Sequence, residues 1–235
     1  MRNPYYFCKL KTKKNKIITS HSYKPISFTT MEILENIMTT DIIKESLNKA
    51  MSYDEYRTLV TSLVEQQSTT GNEKTEALVE YTKMNDRRMK RWDKTVKLSD
   101  DALEKISAYS KKVTWLVLTE SWCGDAAHIV PVINKVAAQN DNIELKVVLR
   151  DENESLMNQF LTNGGKSIPK LIMVDNDTNT VVDTFGPRPA IATEMVNTYK
   201  AQHGKLTPEF KEDLQRWYNK DKGQSTIEDL VKLLG

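Results

Sequence analysis

The segment TESWCGDAAH, residues 119–128, joins two stretches of different character. Before it, VTWLVLTE (residues 113–120) is apolar and β-branched, which predicts a buried central strand. After it, DAAHIVPVINKVAAQN (residues 125–140) has helical spacing, with Pro131 expected to kink the helix. We therefore expect Cys123 at the carboxyl end of a strand and on the first turn of a helix. Unpaired N–H groups and the helix dipole favour an anion there, such as a thiolate.

The residues that follow Cys123 act on its thiol in opposite directions. Cysteines at helix N-termini have pKa values lowered to about 3.5–7.5, from about 8.5 for a free thiol. Gly124 is expected to let the backbone turn tightly and to bring N–H groups close to the sulfur. Asp125 should raise the pKa of the thiol, because its carboxylate repels a thiolate. The sequence leaves open which influence is the larger.

Strands and helices alternate from about residue 93 onward, which predicts an α/β fold with a central mixed sheet flanked by helices. A second strand is expected over residues 143–151, and PKLIMVDND and NTVVDTFG are joined by turn residues, which indicates a β-hairpin. Near the C-terminus, Thr207 and Pro208 form an N-cap and first helical position, and STIE (residues 225–228) has the pattern of a capping box.

Residues 31–92 have a helical pattern without strands. SYDE (residues 52–55) is a capping box for one helix, and a second helix is expected to begin near Asn72. The second helix carries the basic cluster DRRMKRWDK, residues 86–94. We interpret the cluster as a solvated face whose Met89 and Trp92 pack inward, with a patch for a partner or an anionic ligand as the alternative.

Composition limits the classes of function. Residues 1–30 hold seven of the 34 basic side chains and none of the 32 acidic ones, so the body of the chain is mildly acidic and nucleic acid is not expected as its main partner. No run of 18 apolar residues or secretory signal occurs, so we expect a cytoplasmic protein without a membrane span. The expected organisation is a basic, disordered leader (1–30), a helical extension (31–92) and an α/β domain (93–235).

The two cysteines, Cys8 and Cys123, are too few for a disulfide framework. Neither has a Cys or His at metal-ligand spacing, so no metal site and no cofactor are expected. Cys8 lies in the predicted leader. The chemistry of the chain therefore depends on Cys123.

Three motifs in this order resemble the thioredoxin family: Trp122-Cys123-Gly124 after a strand, a proline within the next helix, and Ile168-Pro169 before a hairpin and helix. LRDENESLMNQFLTNGGKSIPKLI and FGPRP are similar to a bacterial branch of thioredoxin-like proteins of poorly defined function. The resemblance covers residues 93–202 and the final helix. It implies a thioredoxin-like fold in which the Ile168–Pro169 bond is cis and lies beside the thiol. It also implies that the backbone of Ile168 pairs with an extended substrate.

The sequence departs from the family at Ala126, where thioredoxins carry the second cysteine of Cys-x-x-Cys. An intramolecular disulfide with Cys123 is therefore impossible at this site. What the resemblance still implies is attack by the Cys123 thiolate on a disulfide, with release of the mixed disulfide by an external thiol such as glutathione. The expected substrates are proteins or low-molecular-weight thiols and disulfides.

Four further residues are candidates near the thiol. Arg150 and Arg188 follow strands and would offset Asp125 or bind an anionic group such as a glutathione carboxylate; the alternative is an ordinary Arg–Asp surface pair. Glu120 is either a proton acceptor or a solvated carboxylate at a strand end. His128 lies roughly 140° around the helix from Cys123, so we expect a partly buried polar contact or a surface residue and not a base.

Three functions are compatible with these residues. The first and favoured one is a thiol–disulfide oxidoreductase that acts through the single Cys123, because an exposed cysteine at a helix N-terminus is otherwise a liability to oxidation. The second is a non-catalytic binding or adaptor module. It would keep the substrate groove that Pro169 is expected to shape, and it would dock to its partner through residues 31–92. The third is a thiol that takes up an oxidant or a metal cluster. A reactive, low-pKa thiol would distinguish the first from the second.

Overall fold

The computed structural model describes residues 28–235. Its helices and strands, in chain order, are α1 (Phe28–Leu47), α2 (Tyr53–Glu65), α3 (Glu76–Thr95), α4 (Asp100–Ala108), β1 (Val113–Thr119), α5 (Gly124–Ala137), β2 (Ile143–Leu149), α6 (Glu154–Gln159), β3 (Lys170–Asp175), β4 (Val181–Phe185), α7 (Ala190–His203), α8 (Pro208–Asp221) and α9 (Gln224–Lys232).

The four strands form one mixed sheet in the order β2-β1-β3-β4. β1 pairs in parallel with β2, so that Val113 lies opposite Ile143, and antiparallel with β3. β3 and β4 form the predicted hairpin. All seven residues of β1 are buried, as expected for a central strand covered on both faces. The predicted α/β fold with a mixed sheet between helices is confirmed.

The junction between β1 and α5 positions Cys123 as the sequence predicts. β1 ends at Thr119, and α5 begins at Gly124 with Cys123 as its N-cap residue. Pro131 lies inside α5. The thiol is therefore carried by the first turn of a helix that follows the central strand.

The N-terminal helices pack onto the α/β part of the chain. Met51 forms a two-way backbone hydrogen-bonded bridge with Val147 of the edge strand β2, and α3 packs along α5. The Ser52–Glu55 capping box is present at the start of α2. Met89 and Trp92 are buried, as expected for the inner face of the basic cluster.

The start of α3 differs from the prediction. The helix begins at Glu76, not near Asn72, because the Thr75 side chain caps it by accepting a hydrogen bond from the Leu78 N–H. The backbone N–H of Asn72 instead donates to Asp151, on the loop after β2. A tertiary contact thus holds residues 72–75 outside the helix.

One cap near the C-terminus agrees with the prediction and one does not. Thr207 caps α8, with Pro208 in its first turn. The predicted capping box at residues 225–228 is wrong, because α9 begins at Gln224 and Gly223 is its N-cap, with φ at 81°. The hydroxyl of Ser225 donates to Asp221 at 2.5 Å and is not available as a cap.

The predicted leader lies mostly outside the described residues. α1 begins at Phe28, three residues before the predicted start of the helical extension, and residues 1–27 are not described. The predicted domain boundary at residues 92/93 stays a prediction. Within residues 28–235, no helix is both long enough and apolar enough to cross a membrane.

Candidate functional site

The Cys123 thiol lies against the segment that carries Pro169. Its Sγ–H donates to the backbone carbonyl of Ile168 at 3.3 Å, and the residue is only 8% exposed. The Ile168–Pro169 peptide bond is cis and both residues are buried at the entrance to β3. The fold therefore brings together the two motifs that the sequence places 45 residues apart.

Burial is the largest influence on the pKa of the thiol. Burial, and after it the neighbouring charge of Asp125, raise the pKa of Cys123 to about 12. The backbone N–H groups of Ala126 and Asp125, and the more distant charge of Arg188, lower the pKa by less. Desolvation thus outweighs the helix N-terminus, and the resting thiol is protonated at neutral pH. The exposed cysteine on which the sequence analysis based its preference for an exchange enzyme is therefore a buried thiol with a raised pKa.

Asp125 is held by two partners from distant parts of the chain. Arg188 Nη2 lies 2.5 Å from Asp125 Oδ2, and the Tyr218 hydroxyl donates to Oδ1 at 2.9 Å. The side chains of Arg188 and Asp125 are 20% and 13% exposed, so the pair is largely enclosed. Arg188 does lie near Asp125, as the sequence analysis anticipated, but in an enclosed pair and not on the open surface.

A second cis bond, Gly186–Pro187, precedes Arg188. Gly186 has φ at 109°, and a Cβ there would lie 2.3 Å from the carbonyl oxygen of Pro169. Only glycine fits so close to another backbone. The FGPRP segment is thereby packed directly onto the Ile168–Pro169 segment, which carries Arg188 to Asp125.

Arg150 lies on the other side of the thiol-bearing loop. Its guanidinium stacks over the Trp122 ring, 4.9 Å from the ring centroid, and forms an ion pair with Asp151 at 2.7 Å. The Arg–Asp pair considered as an alternative is therefore the contact present. Its cation–π contact also orients Trp122, whose side chain is half-buried.

Only one of the two roles expected of Gly124 is absent. The N–H groups of Asp125 and Ala126 do lie close to the Cys123 sulfur. Gly124 itself is the first residue of α5 and its φ is not in the left-handed region, so it does not supply a special turn. Its lack of a side chain leaves space instead. A Cβ there would lie 3.7 Å from Arg88 Nη1 and 3.9 Å from Gln215 Nε2, which are ordinary contact distances.

Glu120 is fully buried and is not the solvated carboxylate considered from the sequence. Its Oε1 accepts a hydrogen bond from the Asp151 N–H at 2.9 Å, while Oε2 is buried without a hydrogen-bond partner. Burial raises the pKa of Glu120. Its backbone carbonyl accepts from the Cys123 N–H, so Glu120 helps to hold the loop that carries the thiol.

His128 is buried and links three elements. The Trp92 Nε1–H donates to His128 Nδ1 at 2.8 Å, and the ring stacks on Tyr218 with centroids 4.5 Å apart. Its other nitrogen, Nε2, lies 2.7 Å from Gln215 Oε1. Burial lowers the pKa of His128 to about 3, so the ring is neutral. The expected polar contact is present, and the ring is fully enclosed.

A buried hydroxyl cluster ties the thiol-bearing loop to the segment between α2 and α3. Ser121 Oγ lies within 3.2 Å of the hydroxyls of Thr69, Thr70 and Thr82. The Ser121 N–H donates to Thr70 Oγ1 at 2.8 Å. Sequence analysis missed this cluster, because Ser and Thr residues in a turn carry no signal of a distant partner.

Arg88, Gln215 and Tyr218 were also missed as neighbours of Gly124 and Asp125, which follow the thiol-bearing residue. They lie on α3 and α8, which only the tertiary fold brings to the first turn of α5. Among the side chains that the structure describes, those of residues 37–235, no three His, Cys, Asp or Glu are grouped so as to hold a metal ion.

Three features together define a thioredoxin-like α/β protein. They are the parallel β1–β2 pair, the β3–β4 hairpin, and a cysteine at the start of α5 beside the segment that carries Pro169. A model of the thioredoxin family matches residues 71–201, which is more than half of the chain, and the chain belongs to this family. The match begins before the predicted domain start at residue 93 and includes α3. No significant match to a curated protein was found.

The solved structures that are similar to the chain include the following two. A protein of unknown function from Pseudomonas aeruginosa matches with a TM-score of 0.51 and 17% identity, over 64% of this chain and 84% of its own. An HIV epitope-scaffold matches with a TM-score of 0.49 and 16% identity, over 78% of this chain and 98% of its own. At 17% identity the first similarity shows the fold alone.

Proposed function

We propose that the protein catalyses thiol–disulfide exchange through the single thiol of Cys123, and that an external thiol such as glutathione completes the cycle. The Cys123 thiolate uses a lone pair to bond to one sulfur of a disulfide, and the other sulfur leaves with the electron pair of the broken S–S bond. A second thiolate then bonds to the substrate sulfur of the mixed disulfide, and the Cys123 sulfur leaves with the electron pair of the broken S–S bond. One half of the original disulfide is thereby released as a thiol, and the other half forms a disulfide with the external thiol, which is oxidised.

The observation that carries this proposal is the position of the Cys123 sulfur, 3.3 Å from the carbonyl of Ile168. An extended substrate that pairs with the backbone of Ile168 would bring its own sulfur to the same place. Such a substrate would also replace Ile168 as the partner of the thiol. Binding of the substrate would therefore itself release the Cys123 sulfur from its hydrogen bond with Ile168 and make it accessible for the exchange.

The raised pKa of Cys123 sets the pH dependence of this chemistry. Only the thiolate is nucleophilic, so the exchange rate rises with pH until the thiol is ionised. Asp125 would be less inhibitory than an isolated carboxylate, because Arg188 and Tyr218 already engage both of its oxygens. A slow exchange at neutral pH that accelerates in mildly alkaline solution is expected.

The direct test is formation of a mixed disulfide with glutathione. The Cys8→Ser variant is incubated with glutathione disulfide over a neutral-to-alkaline pH series, and intact mass is measured before and after addition of reduced glutathione. One glutathione per chain, removed by the reduced thiol, is the expected result. The Cys8→Ser, Cys123→Ser double variant is the control. An adduct-free single variant at alkaline pH would overturn the proposal.

A non-catalytic binding module is the second candidate. It is favoured by the burial and high pKa of Cys123, together with Ala126 in the place of a second cysteine. In that case the backbone of Ile168 would pair with a partner without covalent chemistry. Absence of the glutathione adduct, with unchanged partner binding by the Cys123→Ser variant, would support this function instead.

A further inference from the structure

Arg88 is a half-buried cation beside the thiol-bearing turn, without a carboxylate partner. Its Nη1 donates to Asn85 Oδ1 at 3.0 Å, and among the side chains of residues 37–235, which the structure describes, no carboxylate forms an ion pair with it. Burial and the nearby charge of Arg91 lower its pKa. The charge of Asp125 raises the pKa of Arg88. The two oxygens of Asp125 are, however, already bound by Arg188 and Tyr218. The charge of Arg88 is therefore available to a ligand.

Gln215 contributes a second donor, and its orientation is set by a relay of hydrogen bonds. The indole N–H of Trp92 is a donor only, so His128 Nδ1 must accept from it. The neutral ring then carries its proton on Nε2 and donates it to Gln215 Oε1 at 2.7 Å. The amide group of Gln215 is thereby turned so that its Nε2 faces Gly124.

The two donors converge on the space left by Gly124. Arg88 Nη1 and Gln215 Nε2 lie 3.7 and 3.9 Å from the position that a Cβ of Gly124 would occupy. Gly124 directly follows Cys123 in the chain, so the two donors lie at the residue next to the one that carries the thiol. A guanidinium and an amide N–H₂ facing one small space form a site for an oxyanion, and a carboxylate is the group that such donors bind best in a thiol substrate.

We propose that Arg88 and Gln215 bind a carboxylate of the substrate next to Cys123, so that the protein prefers thiols and disulfides that carry a carboxylate close to the sulfur. This inference rests on the proposed exchange activity and names its substrate class. In the exchange step, Arg88 and Gln215 hold the carboxylate while the Cys123 thiolate bonds to the adjacent sulfur. The leaving sulfur takes the electron pair of the broken S–S bond.

The test compares two small disulfides in the Cys8→Ser background: anionic dithiobis-nitrobenzoate and neutral dithiodipyridine. Both react with the same thiolate, so the ratio of their second-order rate constants cancels any change in the pKa of Cys123. Arg88→Gln should lower the anionic-to-neutral ratio by about 10-fold, as expected for loss of a charge-assisted hydrogen bond. Gln215→Glu should lower it at least as much, because it retains an oxygen for His128 and replaces the donor by an anion.

The matched control is Arg87→Gln, which removes the same charge from an exposed neighbouring position of α3 and should change the ratio by about twofold or less. Arg88→Lys should retain part of the preference. Circular dichroism and thermal unfolding verify that each variant is folded. A ratio that is unchanged in both Arg88→Gln and Gln215→Glu would overturn this inference and leave the exchange activity standing. Failure of Cys123 to react with either disulfide would overturn both.

Discussion

The Sγ of Cys123 lies 3.3 Å from the backbone carbonyl of Ile168 and donates its proton to it. This single contact joins the start of α5 to the entrance of β3. It also shows the resting state of the site, since a thiol that donates a hydrogen bond is protonated. Reactivity therefore depends on how easily that proton is removed.

The first prediction concerns the titration of Cys123. In the Cys8→Ser background, the rate of alkylation by iodoacetamide should titrate well above the value of about 8.5 for a free thiol. Burial is the main reason, and the charge of Asp125 adds to it. Asp125→Asn should move the titration to lower pH, because it removes the repelling charge and leaves the Arg188 cation uncompensated.

The control for this titration is Asp101→Asn, which changes an exposed aspartate in the first turn of α4. It should leave the alkylation profile unchanged. A wild-type profile that titrates at about pH 7 or below would mean that the helix N-terminus outweighs burial.

The second prediction concerns the stability supplied by the pair between Arg188 and Asp125. Arg188→Ala should lower the free energy of unfolding by about 2 kcal/mol, because Asp125 then keeps only Tyr218 as a partner. This value lies below the range for fully buried pairs, since both side chains retain some exposure to water. Urea unfolding measures the change.

Arg216→Ala is the matched control, because Arg216 forms ion pairs while 73% exposed. Its cost should be about 0.5 kcal/mol or less. Equal costs for the two variants would show that enclosure adds nothing to the Arg188 pair.

The third prediction concerns acid stability through His128. The folded chain holds the pKa of His128 at about 3, whereas an unfolded chain takes up a proton near pH 6.5. Stability from this group is therefore present above about pH 6.5 and is lost as the pH falls toward the folded pKa. The loss should approach about 1.4 kcal/mol per pH unit.

His128→Gln should remove this slope, so its difference from the wild type in urea unfolding should narrow as the pH is lowered from about 7 to about 5. The exposed His203→Gln variant serves as the control and should follow the wild type. A constant difference between wild type and His128→Gln would contradict a neutral, enclosed imidazole.

The fourth prediction concerns the hydroxyl cluster at Ser121. Ser121→Ala leaves the buried Thr70 N–H without its acceptor and should cost about 1–3 kcal/mol in the free energy of unfolding. Hydrogen exchange should become faster at Thr70, which lies between α2 and α3. Ser107→Ala, at an exposed position of α4, should have neither effect. Unchanged exchange at Thr70 in Ser121→Ala would contradict the proposed link between this segment and the thiol-bearing loop.

Much of the fold follows from local patterns. The β-branched run before Cys123 and the helical spacing after it predict the β1–α5 junction, because periodicity reports which faces are buried. Thr207 and Pro208 predict the start of α8, because both act on the backbone next to them. The predicted Ser225 cap is absent for an equally local reason, because the Ser225 hydroxyl donates to Asp221, which is nearby in the chain.

The electrostatics of the site do not follow from local patterns. From the sequence, the helix N-terminus should lower the pKa of Cys123 and Asp125 should raise it, but the sequence does not show which effect is larger. Burial decides the outcome, and it comes from elements distant in sequence, as does the neutral state of His128 between Trp92 and Gln215.

The sequence by itself determined the order of the elements and the place of Cys123 at the start of a helix, because these depend on interactions between residues that are near in the chain. The mixed sheet was expected from that order of strands and helices, although its strand pairs join distant residues. Only the tertiary structure decided the protonation of the thiol, the enclosure of the Asp125–Arg188 pair and the approach of Arg88 and Gln215 to Gly124. Desolvation and hydrogen bonding depend on what surrounds a group in space. In this protein those surroundings come from α3, α8 and the FGPRP segment.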